Sequence, residues 1–148
     1  MCAHAVRVAI ERLEGVRSVQ VHLETGQVRI ELAPGNRVTL ERVRQLVRES
    51  GFSPRQAAVE LIGTLRERER GLALAVSGLE LVVPLAAHPE APEAFAALVR
   101  RHQAGRAEPI RLRALAPAAP PGEGAGARPL QVLSWSAPPA APAGGPPP

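Results

Sequence analysis

The chain of 148 residues has no lysine and no tyrosine, and it holds one cysteine, one tryptophan and two phenylalanines. Each scarcity excludes something. A single cysteine rules out an internal disulfide framework. So few rings leave almost no platforms on which the bases of a nucleic-acid strand could stack. All 18 basic residues are arginine, which keeps its charge at any physiological pH, so the formal net charge of +4 reads as basic without implying a polyanionic partner. The arginines mostly alternate with glutamates, as in Arg66-Glu67-Arg68-Glu69-Arg70. That is the pattern of a solvated surface or of a charged edge that discourages strand pairing. No apolar run is long enough to cross a bilayer. Residues 1–20 carry charges at helical spacing where a signal peptide would carry an apolar core. The cytoplasm is the default location, with no membrane segment and no nucleic-acid partner expected.

What is present is aliphatic periodicity, enough for one ordinary domain or two very small ones. Val6, Ile10 and Leu13 recur at i, i+4, i+7, which predicts an amphipathic helix over residues 3–14, stopped by Gly15. From Arg17 the period becomes two, with Val19, Val21 and Leu23 on one face. Glu24-Thr25-Gly26 predicts a turn, and Val28, Ile30 and Leu32 alternate inward on a second strand, making an antiparallel hairpin. Thr39 is placed to cap a second helix carrying Leu40, Val43, Leu46 and Val47. Gly51 ends that helix, and Phe52 folds back onto the core. Residues 57–65 read as a strand. A charged turn over 66–71 follows, then strands at 72–76 and 79–85. A helix entered through Pro92 carries Phe95, Leu98, Val99 and His102, and strands follow at Ile110–Ala114 and 130–135. Residues 117–128 read as a disordered linker and 137–148 as a disordered proline-rich tail.

Residues 1–65 therefore run helix, strand, strand, helix, strand. This is the order of a ferredoxin-like βαββαβ sandwich, an α+β fold, lacking its first strand. Residues 66–116, with strand 57–65 open to sharing and strand 129–136 as a continuation, form a β-rich extension with one helix. Their order is compatible with a small OB-like barrel.

Gly15-Val16, Val19-x-Val21-x-Leu23-Glu24, Gly26-x-Val28 and Gly51-Phe52 stand in the order and spacing of a known pattern. The run from Cys2 to Phe52 resembles the heavy-metal-associated domain of copper and mercury metallochaperones and of metal-pumping P-type ATPases. The resemblance aligns Cys2 with the second cysteine of the family's Cys-x-x-Cys. The first cysteine and first strand of the pattern would then precede Met1. Three arrangements are open. The start lies about a dozen or more residues upstream, a strand such as Leu130–Trp135 fills the gap, or the unit stands incomplete and is marginal or dimeric. The first is favoured, because the match begins abruptly at a methionine abutting the cysteine.

The resemblance implies a soft ion, Cu(I) above all, bound by thiolate and passed on by thiolate exchange. Cys2 is the expected ligand and His4 a weaker additional one, able to turn toward the metal only if the helix begins after it. The implied partners are a metal-transporting P-type ATPase or another heavy-metal-associated domain, with a homodimer through Cys2 as a further form. His22, His88 and His102 are too far apart in sequence to make a zinc site. Ser134-Trp135-Ser136 lacks the glycines of a nucleophile elbow, and no phosphate loop is present, so no enzyme is expected. Two other readings remain open. One is a metal-free structural or protein-interaction module on the same scaffold. The other, weaker, is an OB-type nucleic-acid binder.

Overall fold

The first helix, α1 (Ala3–Glu11), buries Val6 and Ile10 one turn apart. It is shorter than its periodicity predicts, because residues 12–15 turn the chain, and Gly15 takes φ +96° to do so. Strands β1 (Val16–His22) and β2 (Gln27–Leu32) form the expected antiparallel hairpin, with Val19 opposite Ile30 and Val21 opposite Val28. Helix α2 (Leu40–Glu49) begins at the expected cap, where the Arg42 amide donates to Thr39 Oγ1 at 3.2 Å. In this computed structural model residues 3–22, 24–33, 35–69, 71–120, 123 and 128–138 are described. Cys2, Leu23, most of the 121–127 stretch and the tail from residue 139 lie outside them.

The chain divides into two compact units. The first comprises residues up to 55, and the described residues Ala119, Pro120 and Glu123 also belong to it. Its core is Val6, Ile10, Val19 and Leu46, with Leu13, Val21, Ile30, Val43 and Phe52 packed around them. Both helices thus contribute to a core shared with one face of the hairpin. One expectation fails here. Val28 and Leu32, read as inward, are 37% and 38% exposed. They share a face with Ile30, but among the described residues β2 is paired with β1 alone, so nothing extends the core over its outer edge.

The second unit is a closed barrel. Its strands are β3 (Ala57–Arg68), β4 (Gly71–Val76), β5 (Val82–Ala87), β6 (Ile110–Ala116) and β7 (Leu130–Ser136), with α3 (Pro92–Gln103) between β5 and β6. The order around the barrel is β3-β4-β5-β7-β6, and β6 closes back onto β3. Every pairing is antiparallel except β5 with β7. Leu74, Ile110, Leu112, Ala114 and Val132 are fully buried between the strands, and Leu98 of α3 is fully buried as well.

Residues 57–65, read as the last strand of the first domain with their sharing by the extension left open, are the first nine residues of β3 and lie in the second unit. The chain from Ala57 to Gly63 pairs with β6, and from Gly63 to Arg68 with β4. Gly63 is the corner that serves both partners, and a Cβ there would collide with the Ala75 carbonyl oxygen. Arg66 to Arg68, read as part of a turn, continue the strand opposite Gly71 to Ala73. The hairpin of the first unit accordingly has neither the first nor the last strand of the expected sandwich among the described residues.

Candidate metal site

α1 starts at Ala3, the residue immediately after Cys2. The first amides of a helix have no partner within it and point outward from its N-terminus, which favours an anion there. Cys2 itself lies outside the described residues. A shallow depression of about 390 Å³ is lined by Ala3, His4 and Arg7 of α1 and by Val19, Gln20 and Val21 of β1.

His4 lies in the first turn of α1 and is exposed. Its Nδ1 is 3.5 Å from Arg7 Nη2, one turn along the helix. A lone pair on Nδ1 that accepts from Arg7 is engaged there and is not offered to a metal. His22 ends β1 and is exposed. His88 and His102 are half-buried in the second unit, where His88 Nδ1 accepts from the Glu90 amide at 3.0 Å. Among the described residues no three His, Cys, Asp or Glu side chains gather as a metal-binding group.

The turn after α1 is the best-defined part of this end of the molecule. Gly15 accepts from the Ala33 amide at 2.7 Å, which ties the start of β1 to the end of β2. Asn36 secures the facing loop, donating from Nδ2 to the Ala33 carbonyl at 2.8 Å and accepting from the Val38 amide at 3.0 Å. A Cβ on Gly15 would stand 2.7 Å from Asn36 Cβ. Glycine is thus required twice over, by its positive φ and by the closeness of Asn36. The sequence pattern named Gly15 without this reason.

This arrangement agrees with comparison to known proteins. The heavy-metal-associated domain model matches residues 1–53. The copper chaperone CopZ of Staphylococcus haemolyticus is 35% identical over 51 residues, covering 34% of this chain and 74% of that protein. The chain belongs to the heavy-metal-associated domain family. Family membership implies a ferredoxin-like α+β fold for the first unit, and the β-rich second unit is additional to it. No solved structure matches the chain. Among the described residues no helix is long and apolar enough to cross a membrane.

Sequence reasoning missed one charged group in this heavy-metal-associated unit. Arg44, on α2 among apolar neighbours, is only 9% exposed and donates from Nη2 to the Arg55 carbonyl at 3.1 Å. Burial lowers its pKa from the ordinary value, Arg48 adds to that, and Glu123 opposes it. Arg48 in turn donates to the Ala119 carbonyl at 2.9 Å. The segment read as a linker therefore contributes to this unit through Ala119 and Glu123. Helical periodicity puts Arg44 beside Val43 and Val47, and no local signal foretells that Arg48, one turn on, donates to a carbonyl 71 positions away.

Proposed function

We propose that the first unit binds a soft metal ion, Cu(I) in the first instance, through the Cys2 thiolate, and hands it to a protein carrying a related domain. The observation that carries this reading is the start of α1 at Ala3, together with Gly15 held at φ +96° thirteen residues after Cys2. A thiol that precedes a helix N-terminus has its thiolate favoured over the thiol, and the family is one named for heavy metals; both support the reading. The copper assignment is supported by the likeness to a copper chaperone and by the preference of Cu(I) for sulfur. Transfer would proceed by ligand exchange. The incoming thiolate of the partner forms a bond to the ion as the Cys2–metal bond breaks, with no change of oxidation state. A second ligand would come from a cysteine preceding Met1, from Cys2 of another copy or from a small-molecule thiol. His4 takes that role only if its ring leaves Arg7. A metal-transporting P-type ATPase or another heavy-metal-associated domain, in the cytoplasm, is the proposed recipient.

The barrel supports a subsidiary reading as an OB-type module. Counted from β3, its strands lie in the order first, second, third, fifth, fourth, with a helix between the third and fourth. One observation weighs against a nucleic-acid role. Arg101 sits 5.4 Å from the centroid of the Trp135 ring, so the one indole in the chain already has a cation on a face.

Anaerobic competition of the full chain against a Cu(I) chelator tests the main proposal. We expect the wild type to take copper from the chelator and Cys2→Ala to lose that capacity by at least about tenfold, the scale on which loss of even a supporting metal contact is felt. Equal retention by the two proteins would overturn the assignment of Cys2.

A further inference from the structure

We propose that the outer wall of the barrel binds the hydrogen phosphate ion. Arg111 and Arg113 of β6 and Ser134 and Ser136 of β7 donate to its oxygens, and Glu60 of β3 accepts from its hydroxyl. The alternation of β6 builds the site. Ile110, Leu112 and Ala114 are fully buried, so Arg111 and Arg113 between them stand on the outward face. The register with β7 sets Ser136 opposite Arg111 and Ser134 opposite Arg113, and both serines are exposed. On the other side of β6, Glu60 stands opposite Arg113. Glu60, Arg111, Arg113, Ser134, Trp135 and Ser136 line one shallow depression of about 230 Å³, roughly the share of eight liquid waters. All six belong to the second unit, so the site uses no residue of the proposed metal site.

The side chains present decide the chemistry of the ligand. Neighbouring strands lie about 4.8 Å apart, and residues two apart on a strand about 6.8 Å. The four donor side chains therefore rise from a patch that one tetrahedral anion can bridge. A guanidinium presents a planar fork that matches the oxygens of phosphate. Neither Arg111 nor Arg113 makes an ion pair among the described residues, although Glu60 is directly across from Arg113. Arg111 is half-buried, where a charge without a counter-ion costs more than in open water. Two cations and one carboxylate leave the depression with a net positive charge. The carboxylate then selects among anions. When ionised it only accepts hydrogen bonds. It repels sulfate and phosphodiesters, which carry no proton, and accepts from the P–OH that hydrogen phosphate keeps at neutral pH. A phosphomonoester has lost most of its second proton above a pKa of about 6, so it too is disfavoured.

The test titrates the full chain with sodium phosphate at pH 7.5, with ionic strength held constant by sodium chloride. Backbone amide signals of residues 111–113 and 134–136 report binding. Phosphate should shift them saturably, and sulfate and methyl phosphate should each bind at least about threefold more weakly. Arg111→Gln and Arg113→Gln should each weaken phosphate by about threefold, the scale of an exposed charge pair. Glu60→Gln distinguishes a selective site from a merely basic surface, because it should raise sulfate to the level of phosphate. Thermal unfolding checks that the variants fold, and Arg113, whose side chain is exposed, decides if Arg111→Gln does not. The absence of a saturable shift with phosphate would overturn the proposal. So would sulfate or methyl phosphate binding as tightly as phosphate in the wild type, or a folded Arg113→Gln that binds phosphate like the parent.

Discussion

Gly15 and Arg44 are the residues on which the first unit depends most sharply, for opposite reasons. Gly15 matters for what it lacks. With φ at +96° and Asn36 pressed against it, any side chain meets both backbone strain and a neighbour that is itself held by two hydrogen bonds. Gly15→Ala should therefore cost about 1–3 kcal/mol, measured by urea unfolding of the first unit's transition. A variant of unchanged midpoint would mean that the turn relaxes freely. Arg44 matters for what it has. Its guanidinium satisfies the Arg55 carbonyl from a nearly buried position. Arg44→Ala strips that carbonyl of its donor and should destabilise by about 1–3 kcal/mol, by the same measurement. Of the two, only Gly15 was legible in the sequence. A glycine ending an apolar period is a local signal, whereas the burial of an arginine on a helix is decided by tertiary packing that the helical period does not report.

At the scale of elements, periodicity located each helix and strand among the described residues but did not assign each strand to its sheet. Alternation reports which side of a strand is apolar. It does not report which strand lies beside it, and residues 57–65 show the consequence. Their apolar face suits a sandwich or a barrel equally, and what decides between them is Gly63, where β3 passes from pairing with β6 to pairing with β4. The glycine was visible, but its role needs the carbonyl of Ala75 to be in place. Gly63→Ala should destabilise the barrel by about 1–3 kcal/mol, seen as a lower thermal midpoint with the barrel's β-sheet circular dichroism intact at low temperature. An unaltered midpoint would place the corner elsewhere. The same limit accounts for Val28 and Leu32. Their inward reading was right about the face and wrong about burial, because the cover they need has to come from another strand. α2 was the most legible element, since its cap, first-turn acid and apolar stripe all act within about a dozen residues.

At the scale of the whole molecule, a heavy-metal-associated unit and a five-stranded barrel share one chain. The chain runs from one to the other and back, since Ala119 and Glu123 lie between β6 and β7 yet belong to the first unit. The family was legible because its landmarks are local and spaced. The barrel was legible only as an element order compatible with one, because its closure rests on β6 meeting β3 and on the parallel contact of β5 with β7. The function proposed for the whole rests on one sulfur. X-ray absorption at the copper edge of the anaerobically loaded full chain, with weak-binding buffer and no added thiol, measures it directly. The account predicts Cu(I) with sulfur in its first shell in the wild type, and loss of that sulfur scattering in Cys2→Ala. A first shell of nitrogen and oxygen alone in the wild type would contradict it.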